Sequence, residues 1–271
     1  FEIESLSAGK FPRGIFATPS LSFDGKTLYF AFADFSNVVP EGAPLKNLGD
    51  IIERGRDAEI DEYLARTDGK YHLYKMDLAS GAVKQLTDGP DDDFDPAELP
   101  DGDVVFVSTR RGGFARCTGG YEPVETATLH KLRKNGDVQC LSWHETNEWN
   151  PSVLSDGRIV YSRWDYVDRE AARFMNLWTT NPDGTGASAL FGNYTEEVVA
   201  ALQAKEIPGS SKIMFLGSGH HIAVGGPIAI FDPAKAKYDP ETGRDSMEAV
   251  EVVTPDVPFP ETPNPDAPAG M

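Results

Sequence analysis

The sequence predicts an all-β protein assembled from repeated units of four antiparallel strands. Three observations lead to this fold class: a recurring proline followed by an Asp-Gly turn, a second turn after each of these, and short apolar segments between the turns. The chain has 271 residues, which is long enough for one large all-β domain or for two average domains.

The repeat begins with a proline that precedes an Asp-Gly pair by five residues, and an apolar segment follows. It occurs three times, beginning at Pro19, Pro96 and Pro151. A weaker fourth copy begins at Ile207, where Gly-Ser-Ser replaces the Asp-Gly. Because Asp-Gly between apolar segments is a strong hairpin signal, each copy predicts the first two strands, a and b, of one unit.

A second hairpin follows each of these and predicts strands c and d. Its turn contains Ser80-Gly81, Asn135-Gly136 or Asp183-Gly184 in the first three units, and Pro240 to Gly243 in the fourth. Antiparallel four-stranded units in series are the blades of a β-propeller. We therefore predict a β-propeller fragment with blades at about 17–88, 95–142, 150–192 and 203–254.

The two ends of the chain differ from these units. Residues 1–9 resemble the d strand that begins at Val83, which predicts an orphan strand of a fifth blade. The propeller would then cover 1–254 and form part of a larger ring, since propellers close to remove exposed sheet edges. Six prolines between 255 and 268 predict an extended, acidic linker over 255–271.

Propeller topology places the b–c and d–a connections on one face, which we call the rim. The long connections are all b–c loops, at 34–70, 109–126, 164–175 and 217–226, and the first of them is expected to contain a helix near 57–66. Binding residues concentrate in loops on rigid scaffolds, so the rim is the candidate functional face.

Charge excludes several classes of partner. The chain has 25 Lys and Arg residues against 43 Asp and Glu residues, a formal charge of −18. This acidic balance argues against nucleic acid and against an anionic membrane, because both attract basic surfaces. No apolar segment approaches the length of a membrane span.

One candidate site on the rim has the residue types of a zinc centre. Zinc prefers four nitrogen or sulfur ligands, and the rim loops contain Cys117, His144, His220 and His221. The alternative is that Cys117 is a small buried residue and that the histidines cap loops.

A second candidate site is the start of the third b–c loop, which mixes arginine, aspartate and aromatic residues. Such a cluster could bind an anionic or sugar ligand by paired arginine bonds and ring stacking, or its ion pairs could only make the rim rigid. Its members are Arg163, Asp165, Tyr166, Asp168 and Arg169.

These repeats resemble those of TolB-type propellers, and the rim motifs are similar to the propeller domain of the hydrazine synthase alpha subunit family. The motifs are Arg116 to Tyr121, Trp143 to Trp149, Tyr161 to Arg169, Leu177 to Gly184 and Gly217 to His221. The resemblance implies a periplasmic or extracellular protein whose Cys117 and His144 bind zinc beside a heme of a neighbouring domain. This chain has no heme-attachment motif, so any heme would belong to that other domain.

Three functions follow from these observations. The first is a propeller module that holds a zinc-type ion and docks a redox or catalytic domain, or a protein partner, on the rim. The second is a TolB-like propeller that binds a partner protein. The third is an enzyme of the polysaccharide-lyase type, which would use rim histidine, tyrosine and arginine side chains. We rank the non-catalytic module first.

Overall fold

The structure is a computed structural model that describes residues 9–36, 69–115, 125–167, 173–192, 195, 197–241 and 243–261. Within these ranges the chain is mainly β-strand and turn, with short 3-10 helices at Pro233–Lys235 and Met247–Ala249. The predicted helix near 57–66 lies outside the described residues, as does the predicted orphan strand except for Gly9. None of the helices in these ranges is long and apolar enough to cross a membrane.

Four units of four antiparallel strands follow one another along the chain, which confirms the predicted fold class. The strands of blades one and two are β1 (Gly14–Leu21), β2 (Thr27–Asp34), β3 (Tyr71–Asp77), β4 (Val83–Gln85), β5 (Asp93–Glu98), β6 (Val104–Ser108), β7 (Thr128–Leu132) and β8 (Val138–Cys140). Those of blades three and four are β9 (Glu148–Val153), β10 (Ile159–Trp164), β11 (Met175–Thr180), β12 (Ser188–Phe191), β13 (Ala200–Glu206), β14 (Ile213–Ser218), β15 (Ile228–Phe231) and β18 (Val250–Val252).

Blade four departs from the simple pattern in two ways. A small extra hairpin, β16 (Tyr238–Asp239) and β17 (Arg244–Asp245), stands between its third and fourth strands. A single parallel pair, Met175 with Ala200, also joins its sheet to that of blade three. Neighbouring first strands contact each other in the order β1, β5, β9 and β13, and the described sheets form an open arc.

The Asp-Gly turns are longer than a two-residue hairpin loop. Only the glycine has a positive φ, 82° at Gly102 and 86° at Gly157. The aspartate side chain closes the turn instead: Asp101 Oδ1 accepts a hydrogen bond of 3.0 Å from the Asp103 N–H. The signal in the sequence was correct, and the turn type differs because aspartate forms an Asx turn in ordinary backbone geometry.

The core lies between blades. Because side chains alternate along a strand, each b strand sends every second residue towards one neighbouring blade and the others towards the opposite one. In blade two, for example, Phe106 packs against blade one with Tyr29 and Leu73, whereas Val105 packs against blade three with Tyr161. The blades are thus held together by apolar layers that fix how their loops meet on the rim.

A series of hydrogen bonds links the first strand of each blade to the first strand of the next. Four residues at equivalent bulges in the first strands, which we call the axial residues, have φ near the left-handed region: Thr18 (48°), Asp95 (54°), Asn150 (52°) and Gln203 (55°). The Asp95 N–H donates to Thr18 Oγ1 at 2.9 Å, the Asn150 N–H to Asp95 Oδ2 at 2.7 Å, and the Gln203 N–H to Asn150 Oδ1 at 3.2 Å. A backbone N–H of each later blade is thereby bound to a side chain of the blade before it.

Candidate functional site on the rim

The rim residues predicted from the sequence are only partly described. His144 lies in the loop between blades two and three, and Asp165 and Tyr166 follow Arg163 at the end of β10. His220 and His221 lie in the loop after β14. Three further candidates, Cys117, Asp168 and Arg169, lie outside the described residues, so their roles stay predictions.

The structure brings three of these side chains together. Arg163 Nε donates to Asp165 Oδ1 at 2.9 Å, and the same oxygen lies 3.6 Å from His144 Nε2. The Arg163 guanidinium also lies over the Trp178 ring, 3.9 Å from its centroid. We call Arg163, Asp165 and His144 the rim group. Arg163 lies at the end of β10 and Asp165 just after it, whereas His144 lies in the loop between blades two and three.

The hydrogen bonds of His144 determine which ring nitrogen carries the proton. Nε2 lies 2.7 Å from the backbone oxygen of Trp164, and a carbonyl oxygen can only accept, so Nε2 donates. Thr146 donates its hydroxyl to the same carbonyl oxygen. Burial lowers the pKa of His144, and the Trp164 carbonyl opposes this effect. The lowered pKa favours the neutral ring, in which Nε2 carries the proton and Nδ1 carries the lone pair.

A buried carboxyl group lies beneath the rim group. Glu148 is fully buried, and it accepts a hydrogen bond of 2.7 Å from the Ser142 hydroxyl and one of 2.9 Å from the Leu129 N–H. Burial raises its pKa to about 7, although both hydrogen bonds act in the opposite direction. Glu148 was not among the sequence-based candidates. Its position, three residues before the repeat proline Pro151, could have identified it.

The equivalent position between blades one and two is Asp93, three residues before Pro96. Its buried carboxylate accepts bonds from Ser108 Oγ at 2.7 Å, from Arg110 Nε at 3.0 Å and from the Arg110 terminal nitrogen at 2.6 Å. Burial alone would raise the pKa of Asp93, but His72, Arg110 and Ser108 together hold it below its usual value. This carboxylate is ionised and neutralised within the fold.

The two histidines of the fourth b–c loop have different environments. The His220 ring packs against Trp164, with 5.1 Å between ring centroids, and so lies next to the rim group. His221 is mostly exposed, and its Nδ1 lies 3.1 Å from Glu261 Oε1. Within the described part of the chain, no three His, Cys, Asp or Glu side chains converge in a way that could hold a metal ion.

Large apolar side chains stand out on the rim loops. Trp143 is 77% exposed and precedes His144, and Phe114 is 59% exposed in the second b–c loop. Ile222 and Val224 are 43% and 65% exposed in the fourth. Exposed apolar side chains on loops are typical of a surface that contacts a partner.

No family profile matches the sequence, and none of the curated proteins matches it. Solved structures resemble the fold at low identity. Hydrazine synthase of Kuenenia stuttgartiensis has a TM-score of 0.58 at 12% identity, over 92% of this chain and 34% of that one. TolB from Acinetobacter baumannii has a TM-score of 0.50 at 12% identity, over 90% and 44%.

A third similar structure is an oligogalacturonate lyase in complex with manganese, with a TM-score of 0.53 at 15% identity, over 87% of this chain and 54% of that one. This chain therefore spans less than two thirds of each of the three chains. Identities this low show the fold alone, which is a β-propeller of the TolB-like kind.

Proposed function

We propose that this chain is a non-catalytic propeller module that holds a zinc-type ion on its rim and docks a neighbouring domain or protein there. The observation that carries the proposal is the state of His144. Burial favours its neutral form, its Nε2 is bound to the Trp164 carbonyl, and its Nδ1 carries the lone pair that a metal ion would use. A metal-binding histidine needs such a bond from its second nitrogen.

The ion would be held by His144 together with the thiolate of Cys117, with His220 or His221 as further ligands. An ion bound there would act as a Lewis acid or as a cross-link between loops. The side chains of this protein supply the rest: Arg163 and Asp165 fix the polar surroundings of His144, and burial keeps the imidazole deprotonated.

Docking is supported by the exposed apolar side chains of the rim. Trp143 is adjacent to His144, so a partner that covered this indole would also cover the rim group. Tryptophan and arginine are the residues that contribute most at protein interfaces. A redox or catalytic domain that carries its own cofactor, heme included, fits this arrangement, and the module would work in the periplasm or outside the cell.

Metal content is the direct test. The chain is purified after exposure to zinc, and bound zinc per chain is measured beside Cys117→Ser and His144→Ala. Cys140→Ser is the matched control, because Cys140 is a half-buried strand residue whose thiol donates to the Ser142 carbonyl. Zinc should fall in the first two variants and persist in the control. Equal zinc in all four proteins would refute the zinc part of the proposal.

A TolB-like module that binds a partner without any metal is the second candidate. The exposed Trp143 and Phe114 favour it, since neither side chain takes part in holding an ion. One measurement separates the two candidates. Binding of a partner should persist in the presence of a chelator if the module needs no metal. It should be lost if the zinc-type ion is part of the docking surface.

A further inference from the structure

We propose that the glycine-rich loop 217–226 is a binding site for a Phe-Pro-Glu sequence, which this chain supplies itself as residues 259–261. The sequence predicted an extended linker from residue 255 onward. In the structure, the beginning of this segment lies on blade four. The inference concerns a site within the chain and does not depend on the zinc or on the docking partner.

The glutamate of the segment is bound by backbone and side-chain donors. The His221 N–H donates to Glu261 Oε1 at 3.0 Å, and His221 Nδ1 lies 3.1 Å from the same oxygen. The His220 N–H donates to Glu261 Oε2. Burial raises the pKa of Glu261, but these donors outweigh that effect and lower it below the usual value. A carboxylate that takes three donors from two adjacent residues is bound specifically.

The aromatic ring of the segment occupies a space that exists because a residue of the loop has no side chain. Phe259 packs against the apolar cluster between blades three and four, and its ring lies where the Cβ of a residue at 217 would be. A Cβ at Gly219 would lie 2.7 Å from Glu261 Oε2. The absence of side chains at Gly217 and Gly219 therefore leaves the space in which the segment binds.

The loop shapes the remaining contact as well. Gly226 has a φ of 150°, and a Cβ there would collide with the Gly217 carbonyl oxygen and lie 3.1 Å from Pro260 Cδ. Three glycines of the motif, Gly217, Gly219 and Gly226, are thus explained by ring packing, carboxylate binding and proline contact. The class of ligand is an apolar aromatic residue, a proline and a carboxylate in consecutive positions.

This site has a consequence for the rim. His220 contacts both the Glu261 carboxylate, through its N–H, and the Trp164 ring, through its side chain. Trp164 in turn provides the carbonyl oxygen that orients His144. The bound segment thus fixes the position of His220 beside the rim group.

Hydrogen exchange of the His220 and His221 amides in the full chain tests the proposal. Both amides should exchange at least ten-fold faster in Glu261→Ala, which removes their acceptor, and in Phe259→Ala, which removes the ring. Glu251→Ala is the matched control, since Glu251 is an exposed glutamate on β18 and should leave both amides unchanged. Gly217→Ala should resemble Phe259→Ala.

A peptide in solution separates binding from a general loss of folding. Addition of Pro-Asp-Val-Pro-Phe-Pro-Glu, the sequence of residues 255–261, to the Phe259→Ala chain should restore slow exchange at both amides. Equal exchange rates in the wild type and in Glu261→Ala would overturn the proposal. The same conclusion would follow if Glu251→Ala accelerated these amides as much as Glu261→Ala does.

Discussion

The junctions on either side of blade two show two ways of burying a carboxyl group at the same place in the repeat. Asp93 and Glu148 both begin a first strand, and both are fully inaccessible to solvent. Arg110, two residues beyond the strand residue that pairs with Asp93, neutralises that carboxylate. The equivalent position beside Glu148 is Asp165. Within the described residues Glu148 forms no ion pair, and burial raises its pKa to about 7 although the charge of Arg163 opposes this.

The difference shows how one repeat can neutralise a buried carboxylate at one junction and leave a buried carboxyl group without an ion pair at the next. At the first junction Arg110 forms an ion pair with the buried carboxylate of Asp93. At the second, Arg163 donates to Asp165 and lies over the Trp178 ring, and Asp165 approaches His144. The same backbone therefore carries a buried ion pair in one case and, in the other, the rim group of Arg163, Asp165 and His144.

The largest expected effect comes from removing the cation at the first junction. Arg110→Met should lower the free energy of unfolding by about 3–5 kcal/mol, because it leaves the buried Asp93 carboxylate unpaired. Urea unfolding measures the change. Arg158→Met is the control: it removes an arginine whose pair with Asp156 is partly exposed, and it should cost less than about 1 kcal/mol. A loss for Arg110→Met no larger than for this control would contradict the comparison.

The second effect is a pH dependence that Glu148 should produce. Its pKa is about 7 in the folded protein and near 4.5 without the fold, so the folded protein binds more protons between these values. The free energy of unfolding should therefore fall as pH rises through this window, by about 3 kcal/mol from this group. Glu148→Gln should remove this fall in urea unfolding at pH 4.5 and pH 8.

Asp93→Asn tests the carboxyl group whose pKa is shifted in the opposite direction. The pKa of Asp93 is lowered, so its contribution to stability is present above pH 3.8 and is lost only as pH falls through the folded value. This variant should be less stable than the wild type at pH 8 and should keep the Glu148-dependent fall. If both variants gave the same slope between pH 4.5 and pH 8, the two junctions would not differ electrostatically.

A smaller effect is expected from transplanting the first junction into the second. The double change Arg163→Ser with Asp165→Arg places serine and arginine beside Glu148 as they stand beside Asp93. The new cation should lower the pKa of Glu148 and reduce its pH-dependent loss of stability by about 1–2 kcal/mol. Unfolding at the two pH values measures this change, and an undiminished slope would show that burial alone controls Glu148.

The smallest effect on stability should come from the exposed aromatic residue of the second junction. Trp143→Ala should change the free energy of unfolding by less than about 0.5 kcal/mol, because the side chain is 77% exposed. Thermal unfolding checks this value. Zinc content should also be unchanged, so that any loss of partner binding reports the surface itself. A destabilisation of several kcal/mol would mean that the indole is a structural residue.

Local signals were enough to predict the fold class but not the environment of the rim residues. Asp-Gly turns and apolar alternation act within a few residues, so a single sequence reveals them, as at Gly102 and Gly157. The pairing of Arg163 with Asp165 was also predictable, since the two side chains lie two residues apart. The role of Glu148 was not predictable, because its pKa depends on burial between two blades that are separate in sequence.

The same limit applies to the glycine-rich loop. Its histidines suggested a metal site, because histidine is a common ligand and the residues that occupy the loop lie about forty positions later in the chain. The spacing of glycines could have suggested a close approach of another segment. Nothing in the sequence alone indicated which segment that would be.

The axial residues have a consequence for how such a chain can grow. At each of the three described joints one blade supplies a side-chain acceptor and the next blade donates a backbone N–H, and the acceptors are three different side chains (Thr18, Asp95 and Asn150). Because a backbone N–H donates at every one of these joints, with the Asn150 side-chain amide as a second donor to Asp95, a duplicated or exchanged blade needs only some short polar side chain at this position. The hydrogen bond always runs from one blade to the blade before it, but several residue types can accept it. The number of repeats can therefore change during evolution without matched substitutions in the adjoining blades.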